Sequence, residues 1–408
     1  MVDEVKKILA NFVGVIPPTI FGPDRITYMI EHFDRLGDKD KELLWSMINK
    51  LLTVMIERDA SDIEFGGHGT NGYVWLRIFG KKQPLQDMPP FTADEMAVLI
   101  LNLLNENQRS SLTVSRNIDF SYTFRYERKN EDVRFRADAY LDLDCLALNM
   151  RAISSTVRPI ESLGFHPAVL KILSHSYVKQ GLSLITGITG SGKSSTLDAI
   201  VDWHNASDPA HVVIIAAPIE YVHKSKACII RHREVGRDVL SFKEGVIQAL
   251  RQDPDIIIIG EMRDPDTIMA ALEVTDTGHK VFSTLHTSSA VESIDRIIAE
   301  VHPSEQERVR NRLADVLVSV VSQKLVPSLD GKRVLAKEVL VVNASVRAAI
   351  KNNNTSEIYM MINQGGQFGM NTMEQDLKRL YLSKKISLEN AMAYSNNKQR
   401  MQQLLAAV

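Results

Sequence analysis

The sequence predicts an α/β protein of more than one domain, and three observations carry that expectation. Beyond residue 169, four short apolar runs, "LSLIT", "VVIIA", "DIIIIG" and "KVFSTL", alternate with helical stretches, as in a parallel sheet covered on both faces. Between residues 43 and 155, aromatic and β-branched segments surround helical patterning, the texture of a smaller α+β domain. The chain has 408 residues, more than one hydrophobic core ordinarily serves, so two or three domains are expected.

Residues 1–42 join a short apolar segment to "RLGDKDKE" and read as a peripheral N-terminal extension. Leu43, Leu44, Met47, Ile48, Leu51, Leu52, Met55 and Ile56 then recur at helical spacing and predict an amphipathic helix. "SDIEFGG", "GYVWLRIFG", "IDFSYTFRYER" and "VRFRADAYLDLDCLALNMRAI" read as strands around the helix "TADEMAVLILNLLNENQ", which completes a domain over 43–155. Pro159 and Pro167 make 156–168 a linker. Residues 169–408 form the larger domain, expected to be mostly helical from about 303 onward, with "NNN" at 352–354 in an exposed loop.

Composition narrows the function classes. The 48 basic and 50 acidic residues leave a net charge of −2, so nothing global argues for a nucleic-acid partner. Cys145 and Cys228 are too few for a disulfide framework or a four-cysteine zinc site, which fits a reducing compartment. The N-terminus carries Asp3 and Glu4 ahead of a short apolar run broken by Pro17 and Pro18, unlike a secretory signal. No stretch approaches 18 uninterrupted apolar residues, so a cytoplasmic protein is expected, with any membrane association supplied by partners.

Chemistry enters with "GITGSGKSST", which matches G-x-x-x-x-G-K-[ST] directly after the strand "LSLIT". In such a loop Gly187, Thr189, Gly190, Ser191 and Gly192 bring backbone N–H groups around phosphates, while the following helix N-terminus adds partial positive charge. Lys193 reaches the β- and γ-phosphates, Ser194 holds Mg²⁺ and Ser195 follows at the helix start, so ATP and Mg²⁺ are the expected cofactors. Hydrolysis needs a carboxylate that polarises water, and Glu261 ends the strand "DIIIIG" where ligands sit in open α/β sheets. Gly260 stands where many such ATPases carry an Mg²⁺-organising aspartate. The strand "KVFSTL" leads into a polar cluster of Thr284, His286 and Thr287, either a sensor of the γ-phosphate or ordinary packed and solvated residues. Arg134, Arg136 and Arg151 are either solvated strand charges or phosphate-reaching arginines that act across a domain or subunit junction.

These residues together resemble the secretion and type IV pilus motor ATPases, in particular their pilus-retraction branch. The resemblance covers residues 50–395 and rests on "GITGSGKSST", "REVGRD", "ALRQDPDIIIIGEMRDPDTI", "TGHKVFSTLHTSSAVESIDRII" and "QFGMNTMEQDL". It implies a RecA-like ATPase core behind a PAS-like N-terminal domain. It also implies a homo-hexameric ring and force generation on a pilus inner-membrane platform protein, at the inner face of the cytoplasmic membrane. The family's Walker B glutamate falls on Glu261, its His box on His279 and His286, and its nucleotide-contacting arginines on Arg136 and Arg151. The family's retraction motif lines up with "SVRAAIKN", keeping Arg347. Assembly-type relatives carry two Cys-x-x-Cys pairs for zinc, and their absence here favours the retraction branch.

One departure divides the functional reading. Family members read E-D-P-I-E in the Asp box, whereas this chain reads A-A-P-I-E, with Ala216 and Ala217 leaving Glu220 as the only acid. A hexameric retraction motor is the leading expectation. The alternatives are an ATP-binding accessory or regulatory ring subunit with impaired hydrolysis, working beside a competent paralogous ATPase, and a secretion-system motor of the same fold.

Overall fold

The computed structural model describes residues 1–153 and 156–406. It divides into two compact units. The described residues of Met1–Ser155 together with Ala217–Tyr221 form the first, and Thr156–Ala216 with Val222–Val408 form the second.

The first unit is built on six strands: β1 (Ala60–Gly66), β2 (Trp75–Ile78), β3 (Lys81–Pro84), β4 (Asn117–Tyr126), β5 (Glu131–Asp142) and β6 (Cys145–Ala152). They form one antiparallel sheet in the order β3-β2-β1-β6-β5-β4. Side chains alternate across its faces. Phe135, Ala137 and Ala139 of β5 are buried, while Arg134, Arg136 and Asp138 point the other way. The helix Asp38–Glu57 buries Leu44, Met47, Ile48, Leu51, Leu52 and Met55 in this core, on the stripe its spacing predicts. Thr92 and Glu95 close a capping box at the start of the helix Ala93–Leu101.

Residues 1–42 depart from the expected peripheral extension. They contain the helices Val2–Gly14 and Pro23–Glu31, and Val5, Leu9, Phe12, Ile26 and Met29 join the same buried cluster as the sheet. Each helix is short and they are separated by Pro17 and Pro18, so neither carries a long apolar stripe. Their stability comes from packing rather than from local periodicity.

The second unit holds seven strands: β7 (Gly181–Thr186), β8 (His211–Ala216), β9 (Ile229–Glu234), β10 (Ile256–Ile259), β11 (Lys280–Leu285), β12 (Leu317–Pro327) and β13 (Arg333–Val341). The order is β13-β12-β7-β11-β10-β8-β9, with only β13 antiparallel to its neighbour. The four apolar runs read from the sequence are the strands β7, β8, β10 and β11. The expectation of mostly helix beyond 303 is corrected by β12 and β13. Ser319, Ser322 and Gln323 break the apolar run of β12 and hide its strand character, yet all three are buried. Ser319 Oγ donates to Ser183 Oγ at 3.0 Å, and the Ser322 and Thr186 hydroxyls meet at 2.8 Å. Buried polar side chains are tolerated where they are paired in this way.

Two buried charges brace the sheet. Lys280 is fully buried and donates to Ile172 O at 2.8 Å and Val178 O at 3.0 Å, fastening the segment that enters β7; burial lowers its pKa to about 7. Glu338 of β13 accepts from Ala290 N at 2.9 Å, the start of the helix Ala290–Ala299. A carboxylate at a helix N-terminus is favourable, but burial pushes the Glu338 carboxyl up to about 7, with nearby Glu374 adding to the rise. The folded protein therefore keeps a proton that the unfolded chain, with an ordinary carboxyl near 4.3, gives up. That favours the fold below about pH 4.3, and the advantage is lost as pH rises through about 7. In denaturant titrations from pH 5 to 8, the parent should lose up to about 3 kcal/mol more than Glu338→Gln. Parallel profiles for the two proteins would assign Glu338 no part in the pH dependence.

Candidate functional site

β7 delivers the chain into the loop 187–192, and the helix Lys193–Ser207 follows at once. Gly187, Gly190 and Gly192 hold φ of +148°, +77° and +90°, a region that glycine enters without strain. A Cβ at Gly187 would stand 2.4 Å from Ser191 Oγ and 2.5 Å from Gln323 O, whereas one at Gly190 would meet nothing within 4 Å. The loop is thus packed tightly against the sheet on one side and open on the other. Lys193 Nζ donates to Gly187 O at 2.8 Å and Ile188 O at 3.2 Å, folding back over the loop. Ser194 and Ser195 are exposed in the first helical turn.

Glu261 follows β10 by two residues and His286 follows β11 by one, so both leave the sheet at the carboxyl edge where the loop lies. Glu261 Oε2 pairs with Arg263 Nε at 2.6 Å and stands 3.8 Å from His286 Nε2, beyond hydrogen-bond reach. Burial, then the charge of Lys193, lowers the His286 pKa, which leaves the ring neutral at pH 7. Thr284 Oγ1 donates to Gly260 O at 2.6 Å, and Met262 N donates to Thr284 O at 3.1 Å. Thr284 therefore fixes the backbone on both sides of Glu261. Thr287 shares its hydroxyl with Ser293 at 2.7 Å, so of the expected polar cluster only His286 presents its side chain half-exposed beside Glu261.

The structure divides the remaining candidates. His279 precedes β11 and contacts Thr277 Oγ1 and Val274 O, at the opposite end of the strand from His286. Arg136 and Arg151 are cross-strand partners in the first unit. Arg151 Nε donates to Asp62 Oδ1 at 2.7 Å, and Arg136 Nη2 lies 3.5 Å from Asp119 Oδ1. Arg134 donates to Ser121 Oγ at 2.7 Å and to Ile219 O at 2.9 Å. The run "VVIIAAPIEYVH" thus parts after Ala216: Ala216 ends β8 in the second unit, while half-buried Glu220 lies in Ala217–Tyr221 of the first. Arg347 donates through Nε to Ala314 O at 3.0 Å, near the C-terminus of the helix Gln306–Val316.

Sequence reasoning missed Gln323. Its Nε2 donates to Ser191 O at 3.1 Å, so β12 holds the loop from the side. The available signal was an uncharged amide inside the apolar, β-branched run "LVSVVSQKLVP".

The residues present suit Mg²⁺ and a nucleoside polyphosphate. Among the described residues no acceptor meets the N–H of Thr189, Gly190 or Gly192, and buried Ser191 Oγ has no partner. These open donors face an anion's requirement, and the exposed hydroxyl of Ser194 offers a hard oxygen of the kind that Mg²⁺ takes. No helix among the described residues is long and apolar enough to cross a membrane.

Comparison with known proteins gives a consistent picture. The family model described as "Type II/IV secretion system protein" matches residues 37–405. The type IV pilus retraction ATPase PilT of Pseudomonas aeruginosa is 38% identical over 346 residues, 84% of this chain and 96% of that protein. The type IV pilus ATPase PilU of the same organism is 31% identical, over 85% of this chain and 88% of its own length. Among solved structures, the pilus retraction motor PilT with bound ADP superposes with a TM-score of 0.76 at 36% identity, covering 87% of this chain and 99% of that one.

The packing behind Gly187 yields a direct test. Gly187→Ala forces a Cβ into Ser191 Oγ and the Gln323 carbonyl and should weaken nucleotide binding by at least about tenfold, worth about 1.4 kcal/mol. Isothermal titration with ADP reads the change, and parent-like affinity would show that the loop does not depend on that contact.

Proposed function

Because the chain belongs to the type II/IV secretion system protein family, a family of P-loop NTPases, we propose that it is a type IV pilus motor that hydrolyses Mg·ATP to drive pilus retraction and twitching motility. What carries this reading is one arrangement: the phosphate loop, Glu261 and His286 all leave the carboxyl edge of one sheet, in a chain similar to a retraction ATPase over 96% of that protein. The motor works as a homo-hexamer in the cytoplasm, against a platform protein at the inner membrane face.

Loop N–H groups bind phosphate oxygens, and Lys193 leaves its loop carbonyls to neutralise the β- and γ-phosphates. Ser194 holds Mg²⁺, which when bound spreads the charge that develops on the transferred phosphoryl group. Glu261 orients and polarises the attacking water once Arg263 yields its carboxylate oxygen. Neutral His286 reports the γ-phosphate state to the turn that opens the helix Ala290–Ala299. Arg136 and Arg151 serve a neighbouring subunit's phosphates in the ring.

A specific observation favours a second reading, an accessory ring subunit with impaired hydrolysis beside a competent paralogue. Ala216 packs on Gly260, since a Cβ at 260 would lie 3.1 Å from Ala216 Cβ, so two positions that carry acids in related ATPases are filled by touching small residues. Steady-state phosphate release separates the readings. The motor reading expects Mg²⁺-dependent turnover that Glu261→Gln lowers by roughly 10²- to 10³-fold with nucleotide binding retained. Turnover no higher than that of Glu261→Gln would overturn it. A large gain on combining Ala216→Glu with Ala217→Asp would support the accessory subunit instead.

A further inference from the structure

We infer that Gln323 is a positioning residue of the nucleotide site, orienting the Gly192 N–H toward the β-phosphate of a nucleoside di- or triphosphate. The assignment rests on the nucleotide-binding reading above and extends it to a strand that carries none of the recognised motifs.

The argument begins with register. β12 runs parallel to β7 and its last paired residue is Ser322, opposite Thr186 at the end of β7. Beyond that pair β12 continues to Pro327 while the other chain turns into the loop, so residue 323 is the first to stand beside the loop rather than the strand. Gln323 meets the loop at three points. Its backbone carbonyl lies 2.5 Å from where a Cβ on Gly187 would be, its Nε2 donates to Ser191 O at 3.1 Å, and the same nitrogen is 3.4 Å from a Cβ position on Gly192.

The middle contact has a directional consequence. Ser191 C=O and Gly192 N–H belong to one planar trans peptide and point in opposite directions. Anchoring the carbonyl on Gln323 therefore turns the Gly192 N–H away from the wall of β12, and among the described residues nothing accepts from it. The φ of +90° at Gly192 belongs to the same arrangement. A side chain from outside the loop thus fixes a donor without consuming any of the loop's own N–H groups. The amide is 1% exposed, so water does not compete for Ser191 O.

Gln323→Met keeps the volume and removes the donor. Binding of fluorescent ADP and ATP analogues should weaken by about tenfold, equally for both because both carry the β-phosphate. KM for ATP should rise likewise, with kcat changed less than twofold, the pattern of an interaction shared by ground and transition states. Gln323→Glu supplies a readout that mere stability would not move. Its protonated form donates to Ser191 O and its carboxylate repels it, so affinity relative to the parent should fall from pH 5.5 to 8. The inference is overturned if folded Gln323→Met binds both nucleotides like the parent, if its loss is confined to ATP, or if the affinity of Gln323→Glu follows the parent at every pH. A parent that binds ADP and ATP but does not turn over would sink the motor reading and leave the binding arms to decide the role of Gln323.

Discussion

A loop that binds anions through its own N–H groups cannot also spend those groups on holding its shape. That constraint organises the second unit. The N–H groups of Thr189, Gly190 and Gly192 have no acceptor among the described residues, so the loop's geometry comes from its other groups: Gly187 N–H donates to Leu285 O at 3.2 Å and Ser191 N–H to Ile188 O at 3.1 Å, and its carbonyls and surroundings supply the rest. Lys193 takes the Gly187 and Ile188 carbonyls, Gln323 takes that of Ser191, and the missing side chain at Gly187 lets β12 approach to contact distance. The same economy recurs at Glu261. Thr284 bonds the carbonyl on one side of it and accepts the N–H on the other, leaving the carboxylate itself outside the bracing.

Much of this was legible in the residues, and the misses have physical reasons. β7, β8, β10 and β11 are buried on both faces and therefore read as continuous apolar runs, while the phosphate loop carries its own spacing. β12 is equally buried, but Ser319, Ser322 and Gln323 sit in it because their partners, Ser183, Thr186 and Ser191, are polar atoms more than 130 residues away in sequence. No local pattern announces a pairing made at that range. Residues 1–42 were obscured differently, since their short helices acquire a visible apolar face only against the core that covers them. At the site, the sequence grouped Glu220 with the end of β8, but chain proximity does not decide membership of a folded unit, and Arg134 holds the Ala217–Tyr221 segment within the first.

Ala216 and Gly260 give the site its individual character. Ala216 ends β8 and Gly260 follows the neighbouring β10, and Gly260 N donates to Ile215 O at 2.8 Å, so the two strand ends are pinned closely enough that a Cβ at residue 260 would stand 3.1 Å from Ala216 Cβ. Lost acids are usually weighed as lost charge. Here the geometry adds a steric element: the edge that carries Ala216 and Gly260 is also a closely packed one. Fewer negative charges facing the phosphates favour binding, and fewer polar groups organising water disfavour turnover.

The bond from Gln323 to Ser191 also sets a timetable. It spans 132 residues, so during synthesis the phosphate motif leaves the ribosome roughly 10 s before the strand that shapes it. Until β12 arrives, β7 is an uncovered sheet edge, a template for unwanted pairing, and the loop lacks the anchor for its Ser191 carbonyl. Nucleotide that meets the chain before then therefore binds a loop without this anchor, and more weakly than it binds the completed sheet. Full affinity arrives only once β12 is in place, and so reports that this side of the sheet has closed over the loop.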